Sequence, residues 1–177
     1  MTQTIKHRRR HCEIDGLESL ELDIFRDSRG EIWTIYTKTN HDYKFVQDKL
    51  SVSKYGVLRG FHGDSDTVKL ISCLSGKMQL AVADLRRESG TYGNVKTFCL
   101  SEESPYVIIV PAGCVNAHLV LSEKCLFYYK WSCPYQGPSN QVTISWNDPK
   151  LNIDCDITEP TLSERDRNGT SCENVYL

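Results

Sequence analysis

Short apolar runs of about four to eight residues, each stopped by Gly, Pro, Asn, Asp or Ser, recur along most of the chain, and no helical period is sustained. Such a chain must bury its apolar side chains on paired strands that close face to face. In Lys77–Asp84, Met78, Leu80 and Val82 alternate with Gln79, Ala81 and Ala83. With Val68–Cys73 across Ser75-Gly76, this stretch predicts a hairpin. Further strands are predicted at Leu20–Phe25, Glu31–Thr37, Leu50–Ser53, Val95–Leu100, Tyr106–Val110, His118–Leu121, Cys125–Trp131 and Gln141–Trp146. Asp27-Ser28-Arg29-Gly30 supplies a turn and residues 38–44 a polar loop. The fold class is therefore all-β, a sandwich or jelly-roll barrel with a few short helices.

At 177 residues the chain is expected to form a single domain, 1–177, large enough to hold a cleft. Its formal net charge of -2 offers no global basic field for nucleic acid. No signal peptide is visible, and no apolar run approaches the roughly 20 residues of a membrane span, so a cytoplasmic protein without membrane contact is expected. The eight cysteines are scattered, form no CxxC pair and partly sit inside apolar runs, so they read as thiols without structural zinc. Lys6-His7-Arg8-Arg9-Arg10-His11 reads as part of a flexible arm over residues 1–11. At the other end, Pro160–Asp166 carries the start signal of a short helix, and residues 167–177 read as a loose tail.

Gly56-Val57-Leu58-Arg59-Gly60-Phe61-His62-Gly63-Asp64 brings a cation and a base to one glycine-flanked segment, read as the end of a strand. Alternation predicts Arg59 and Phe61 on one face and Leu58, Gly60 and His62 on the other. A single His beside Gly is most often structural, and its company along the chain gives it a chemical meaning. That company comprises Phe45-Val46-Gln47-Asp48, Lys69-Leu70, Asp84-Leu85-Arg86, Val110-Pro111-Ala112-Gly113, Tyr129-Lys130, Trp146-Asn147-Asp148-Pro149 and Leu162–Asp166.

With Asp27-Ser28-Arg29-Gly30, this ordered series over about residues 20–166 resembles the dTDP-4-dehydrorhamnose 3,5-epimerase family. The resemblance implies a cupin-type jelly roll (a double-stranded β-helix), a homodimer exchanging N-terminal strands, and cofactor-free epimerisation beside the ketone of a nucleotide-linked 4-keto-6-deoxy sugar, without a metal. A ketone at carbon 4 acidifies the hydrogens on carbons 3 and 5, so inversion needs a base, an acid on the opposite face, and donors for the enolate. By the resemblance His62 is the base, Asp166 its orienting carboxylate, Tyr129 the acid, and Lys69 the cation near the enolate oxygen. Because Tyr128 and Tyr129 face opposite sides of a strand, only one of them can line a cavity. Arg59 corresponds to a diphosphate or sugar contact, and Arg29, Gln47 and Lys49 fall where the family holds the nucleotide, Arg29 from the exchanged segment.

One stretch departs from the family pattern. In Gly113-Cys114-Val115-Asn116-Ala117-His118, Asn116 stands where a His is common and His118 where an apolar residue is usual. Asn116 can hydrogen-bond the keto oxygen but cannot titrate there. With Arg29–Thr34, Asp48-Lys49, His62-Gly63-Asp64 and Leu162–Asp166, this variant resembles a narrower branch that acts on GDP-6-deoxy-4-keto-heptoses in bacterial capsular polysaccharide synthesis, which favours a GDP-linked over a dTDP-linked substrate. A 3,4-ketoisomerase and a non-catalytic nucleotide-sugar-binding cupin are the alternatives. A metal-dependent cupin is disfavoured because His62-Gly63-Asp64 lacks the usual His-x-His pair.

Overall fold

The computed structural model describes residues 8–38 and 43–177. Lys6 and His7 of the basic run, and residues 39–42 of the polar loop, lie outside the described residues. Among the described residues, thirteen strands carry the architecture: β1 (Arg8–His11), β2 (Glu18–Glu21), β3 (Ile24–Asp27), β4 (Gly30–Trp33), β5 (Gln47–Lys54), β6 (Leu58–Gly63), β7 (Lys69–Ser75), β8 (Lys77–Asp84), β9 (Val95–Ser101), β10 (Tyr106–Val110), β11 (Cys114–Val120), β12 (Lys124–Trp131) and β13 (Val142–Thr143). The one α-helix among the described residues is α1 (Glu164–Arg167). No helix there is long and apolar enough to cross a membrane.

The strands form a six-stranded sheet, β1-β2-β10-β7-β12-β5, and a five-stranded sheet, β13-β6-β11-β8-β9. From β5 onward the chain passes from one sheet to the other at nearly every connection, which makes the pair a jelly roll of the cupin type. The turn at Ser75-Gly76 is one such crossing and not the expected hairpin. β7 pairs with β10 and β12, whereas β8 pairs with β9 and β11. Gly76 has φ +82°, and an added Cβ there would lie 2.2 Å from the Lys124 carbonyl oxygen. The true hairpins include β8–β9 and β3–β4, the latter turned by Asp27–Gly30 as expected.

Alternation sorts each strand between an interior row and an outer row. Ile71 and Cys73 of β7, Met78, Leu80 and Val82 of β8, Val120 of β11 and Cys125 and Phe127 of β12 fill one end of the shared interior. The outer face of the larger sheet, with Leu20, Leu70, Val107 and Ile109, is covered by Trp33, Ile35, Tyr36, Tyr43 and Phe45. The outer face of the smaller sheet, with Phe61, Ala81, Ala83 and Ala117, is covered by Ile144, Leu151, Cys172 and Val175.

Both chain ends differ from expectation: the first pairs into a sheet and the last packs over one. Arg8–His11 is not a free arm but pairs antiparallel with β2. Residues after Gly169 are not loose, since Thr170 bridges Ile144, Cys172 and Val175 are buried, and the Leu177 amide donates to the Leu85 carbonyl. All eight cysteines are free thiols, as read from the sequence.

Gly76→Ala forces a side chain into a left-handed turn against backbone, so unfolding in urea should show a loss of about 2 kcal/mol or more. A change below about 0.5 kcal/mol would mean that this crossing does not need glycine.

Candidate active site

At the end of the interior away from the apolar fill, the same rows turn polar and enclose a cavity of about 280 Å³. On β12 the row runs Cys125, Phe127, Tyr129, Trp131, and on β7 it runs Cys73, Ile71, Lys69. The larger sheet thus supplies Lys49, Lys69, Tyr129 and Trp131 as one wall. The smaller sheet faces it with Arg59 and His62 of β6 and Asn116 and His118 of β11. Ser163, Arg165 and Asp166 close the side, delivered by the short C-terminal helix.

Arg59 and His62 share this wall, contrary to simple alternation. On β11 the two-residue step from Asn116 to His118 matches a three-residue step on β6, with Asn116 opposite His62 and His118 opposite Arg59. The extra β6 residue is a bulge, and it turns both functional side chains inward while Leu58 and Phe61 face outward. Gly60 permits the tight approach, since a Cβ there would sit 2.5 Å from Ala117 Cα.

His62 Nε2 lies 2.7 Å from Asp166 Oδ1. The approach is off the ring N–H axis, so neither atom has a well-formed hydrogen bond. Asp166 Oδ2 accepts from the Ser163 hydroxyl at 2.7 Å, and that hydroxyl caps α1 by accepting from the Asp166 amide. Burial pushes the Asp166 carboxyl up, but His62, Ser163 and the Gly60 amide together hold it below the usual range. Burial pushes the His62 imidazole down from 6.5, against a smaller opposite pull from Asp166. His62 is therefore a neutral imidazole beside a fixed carboxylate at neutral pH.

Lys69 is 3% exposed, and its Nζ donates to the His62 carbonyl at 2.9 Å and to Asn116 Oδ1 at 2.8 Å. Burial brings its pKa down to about 8. Tyr129, whose phenol burial shifts upward, stands between Phe127 and Trp131 at ring distances of 4.7 and 5.8 Å. Tyr128 faces the other side, packed with the outer cluster. Lys49 Nζ sits 3.7 Å from the Tyr135 ring centroid. The exposed Arg59 reaches the mouth, its Nε on the Ser53 hydroxyl at 3.1 Å.

A family model described as dTDP-4-dehydrorhamnose 3,5-epimerase matches residues 11–174. The chain belongs to the dTDP-4-dehydrorhamnose 3,5-epimerase family. The enzyme of that name from Pseudomonas aeruginosa is 37% identical over 158 residues, covering 84% of this chain and 87% of that protein. The crystal structure of dTDP-6-deoxy-D-glucose-3,5-epimerase from Legionella pneumophila, in complex with dTDP-4-keto-L-rhamnose, superposes with a TM-score of 0.91 at 30% identity, over 96% of this chain and 95% of that one. A 3'-monoepimerase from Streptomyces bikiniensis, in complex with dTDP-quinovose, gives 0.85 at 29% identity over 90% and 85% of the two chains. The chain is a nucleotide-sugar epimerase.

Of the residues expected at the site of this epimerase, His62, Asp166, Tyr129, Lys69, Arg59, Asn116, His118 and Lys49 line the one cavity. Gln47 does not; its Oε1 accepts from the Tyr135 amide at 2.7 Å and steadies the loop beside the cavity. Arg29 stands at the tip of the β3–β4 hairpin, paired with Asp27, and lines a separate shallow surface with Phe25 and Ile32. Arg165, Ser51, Trp131, Tyr135 and Gln141 were not singled out from the sequence although they line the cavity. Period-two spacing from Lys49 and Tyr129 reaches Ser51 and Trp131. Arg165 precedes Asp166 in the helix motif.

Both cavity histidines have depressed values, so the unfolded chain binds more protons than the folded one as acid is added. Stability should fall as pH drops below about 6.5. By NMR the His62 ring should titrate below 6.5, and Asp166→Asn should move it lower by removing the charge that favours imidazolium. An upward move on Asp166→Asn would contradict this electrostatic account.

Proposed function

We propose that the cavity takes a nucleotide-linked 4-keto-6-deoxy sugar and inverts carbon 3, carbon 5 or both. His62 removes the ring proton, Asp166 steadies the resulting imidazolium, and Tyr129 returns a proton from the other face. Lys69 and Asn116 serve the enolate oxygen. The observation that carries this reading is the placement of an imidazole–carboxylate pair and a phenol on facing sheets of one cavity. A ring between the two sheets meets base and acid on opposite sides, as inversion requires. Proton removal and return leave the redox state unchanged, so the scheme asks for no cofactor.

The diphosphate is assigned to Arg59 at the mouth, and the nucleoside to the side of Lys49 and Tyr135. Gln47 becomes a positioning residue for Tyr135. Arg29 enters only by way of a second copy, in keeping with a homodimer that exchanges N-terminal strands. Support for that assembly comes from Phe25 and Ile32 on the hairpin and Leu50 and Val52 on β5, all more than half exposed in the isolated chain. The dTDP-linked ligands of the Legionella and Streptomyces proteins favour a dTDP sugar here. The GDP-heptose reading rests on Asn116, His118 and their companions. Asn116 and His118 lie at the cavity floor with the reacting groups, so they speak to the sugar more than to the base.

Incubation with dTDP- and GDP-linked 4-keto-6-deoxy sugars in deuterated water, followed by NMR, should show label at carbon 3 or 5 with the 4-ketone retained. Migration of the carbonyl to carbon 3 would make the protein a ketoisomerase, and binding without label would make it a non-catalytic cupin. His62→Asn should lower activity about 100- to 10,000-fold with little change in substrate affinity. Tyr129→Phe should spare exchange while inversion falls, and equal loss of both would widen its role.

The pH profile should be bell-shaped, with an acid limb below 6.5 as His62 protonates and an alkaline limb near 8 as Lys69 loses its charge. A profile flat from pH 5 to 10 would remove both groups from the rate-limiting step.

A further inference from the structure

His118 is among the cavity groups that the proton transfers above do not use. His118 is 5% exposed, and its ring lies flat on Phe127, with centroids 4.1 Å apart and planes 8° from parallel. Its Nε2 is buried without a hydrogen-bond partner among the described residues, on a ring that lines the cavity. Stacking fixes the plane of the ring, so the nitrogen cannot swing away to find a protein acceptor. Leaving a buried polar atom unpaired weakens a fold, and a ligand atom that completes the bond removes that penalty.

Two neighbours locate the missing partner. His118 is the strand partner of Arg59, while Asn116, two residues back on the same face, is the partner of His62. The wall therefore has a rung at Arg59 and His118 and a rung at His62 and Asn116. In a nucleotide sugar the diphosphate hangs from carbon 1, and the carbons beside the ketone are 3 and 5. With the diphosphate at Arg59 and a reacting carbon at His62, the exocyclic hydroxyl on the path between them is the one on carbon 2. A hydroxyl both donates and accepts, so it suits either tautomer of a neutral imidazole.

We propose that His118 is a specificity-determining residue whose Nε2 hydrogen-bonds the 2-hydroxyl of the bound sugar, so that the site selects against 2-deoxy sugars. The proposal rests on the nucleotide-sugar reading of the cavity. Burial and the nearby Arg59 hold the ring neutral, with a pKa of about 3, so the contact persists across the working pH range. The other side of the ring offers only the ring oxygen between carbons 1 and 5, which accepts but cannot donate.

The test is a binding cycle that does not depend on turnover. The probe is 6-deoxyglucose linked to dTDP or GDP, whichever binds, together with its 2-deoxy counterpart; a 4-hydroxyl in place of the ketone leaves nothing to enolise. Calorimetry is run on wild type and on His118→Phe, which keeps the ring stack on Phe127. Wild type should bind the 2-hydroxy sugar about 10-fold or more tighter than the 2-deoxy sugar. His118→Phe should discriminate less than about 2-fold, through weaker binding of the 2-hydroxy sugar alone, and should bind the free nucleoside diphosphate like wild type. His118→Gln, which restores a donor, should recover part of the discrimination.

Equal discrimination by wild type and His118→Phe overturns the role of His118 and leaves the nucleotide-sugar reading intact. A parallel loss of affinity for the free nucleoside diphosphate overturns it too, because the residue then serves the diphosphate. Wild type that binds neither 6-deoxyglucose conjugate overturns the nucleotide-sugar reading itself. Should His118→Phe not fold, the His118 Nε2 resonance in wild type decides: it should move on addition of the 2-hydroxy sugar but not the 2-deoxy sugar, and identical movement with both defeats the proposal.

Discussion

The two sheets share a single interior, and at each level of it the inward rows of several strands must agree on being dry or wet. Cys125 and Phe127 of β12 meet Ile71 and Cys73 of β7 and Leu80 of β8, and that end packs as a core. Two residues further along the same strands, Tyr129 and Trp131 meet Lys69, and the interior opens. A one-residue slip of β7 would exchange its interior and exterior rows at once, turning Lys69 into the outer apolar cluster and Leu70 toward the cavity. The apolar fill thus sets the register that the polar end requires. The cavity groups contribute little to folding of their own accord, since several are buried polar atoms awaiting a partner.

The setting of His62 depends on a segment about a hundred residues further along the chain, beyond both sheets. Asp166 reaches His62 only because Thr161 bridges Val57, Ile144 bridges Thr170, and Cys172 and Val175 cover the outer face of the smaller sheet. Asp148 anchors that cover by accepting from the Cys172 amide at 2.8 Å. The tail is part of the device that holds the carboxylate, which explains why so short a helix as α1 is fixed in place. Its cap, Ser163, binds the Asp166 amide and side chain together, so the helix start and the carboxylate beside His62 are one hydrogen-bonded unit.

Much of this was readable from the residues, in proportion to how local the determining physics is. β8 and β10 lie at Lys77–Asp84 and Tyr106–Val110 as predicted, because alternating or β-rich runs end at turn residues. The start of β11 was missed since Cys114–Val120 is buried throughout and shows no alternation, and Asn116 and Ala117 are poor strand formers. The Ser75-Gly76 turn signal was right, but a turn says nothing about which sheet the next strand joins. The shared face of Arg59 and His62 escaped because a bulge is a property of the pairing of β6 with β11 and leaves no mark on β6 alone. Gln47 was misplaced for a similar reason: its amide is used by a loop residue that only the fold brings near.

The substitution of Asn116 for a titrating residue gains its meaning from Lys69. That ammonium is buried and donates to two neutral oxygens, with no carboxylate in direct contact among the described residues. A His at position 116 could become charged beside it and would further disfavour the protonated lysine, whereas an amide accepts from Lys69 without adding charge. Two of the three donors of Lys69 are thus committed and its charge is under-compensated. An oxyanion forming nearby would supply the missing negative charge at the moment the carbon–hydrogen bond breaks. The ground state lacks that charge, so such an interaction is stronger in the transition state than with bound ketone, which is the condition for lowering the barrier.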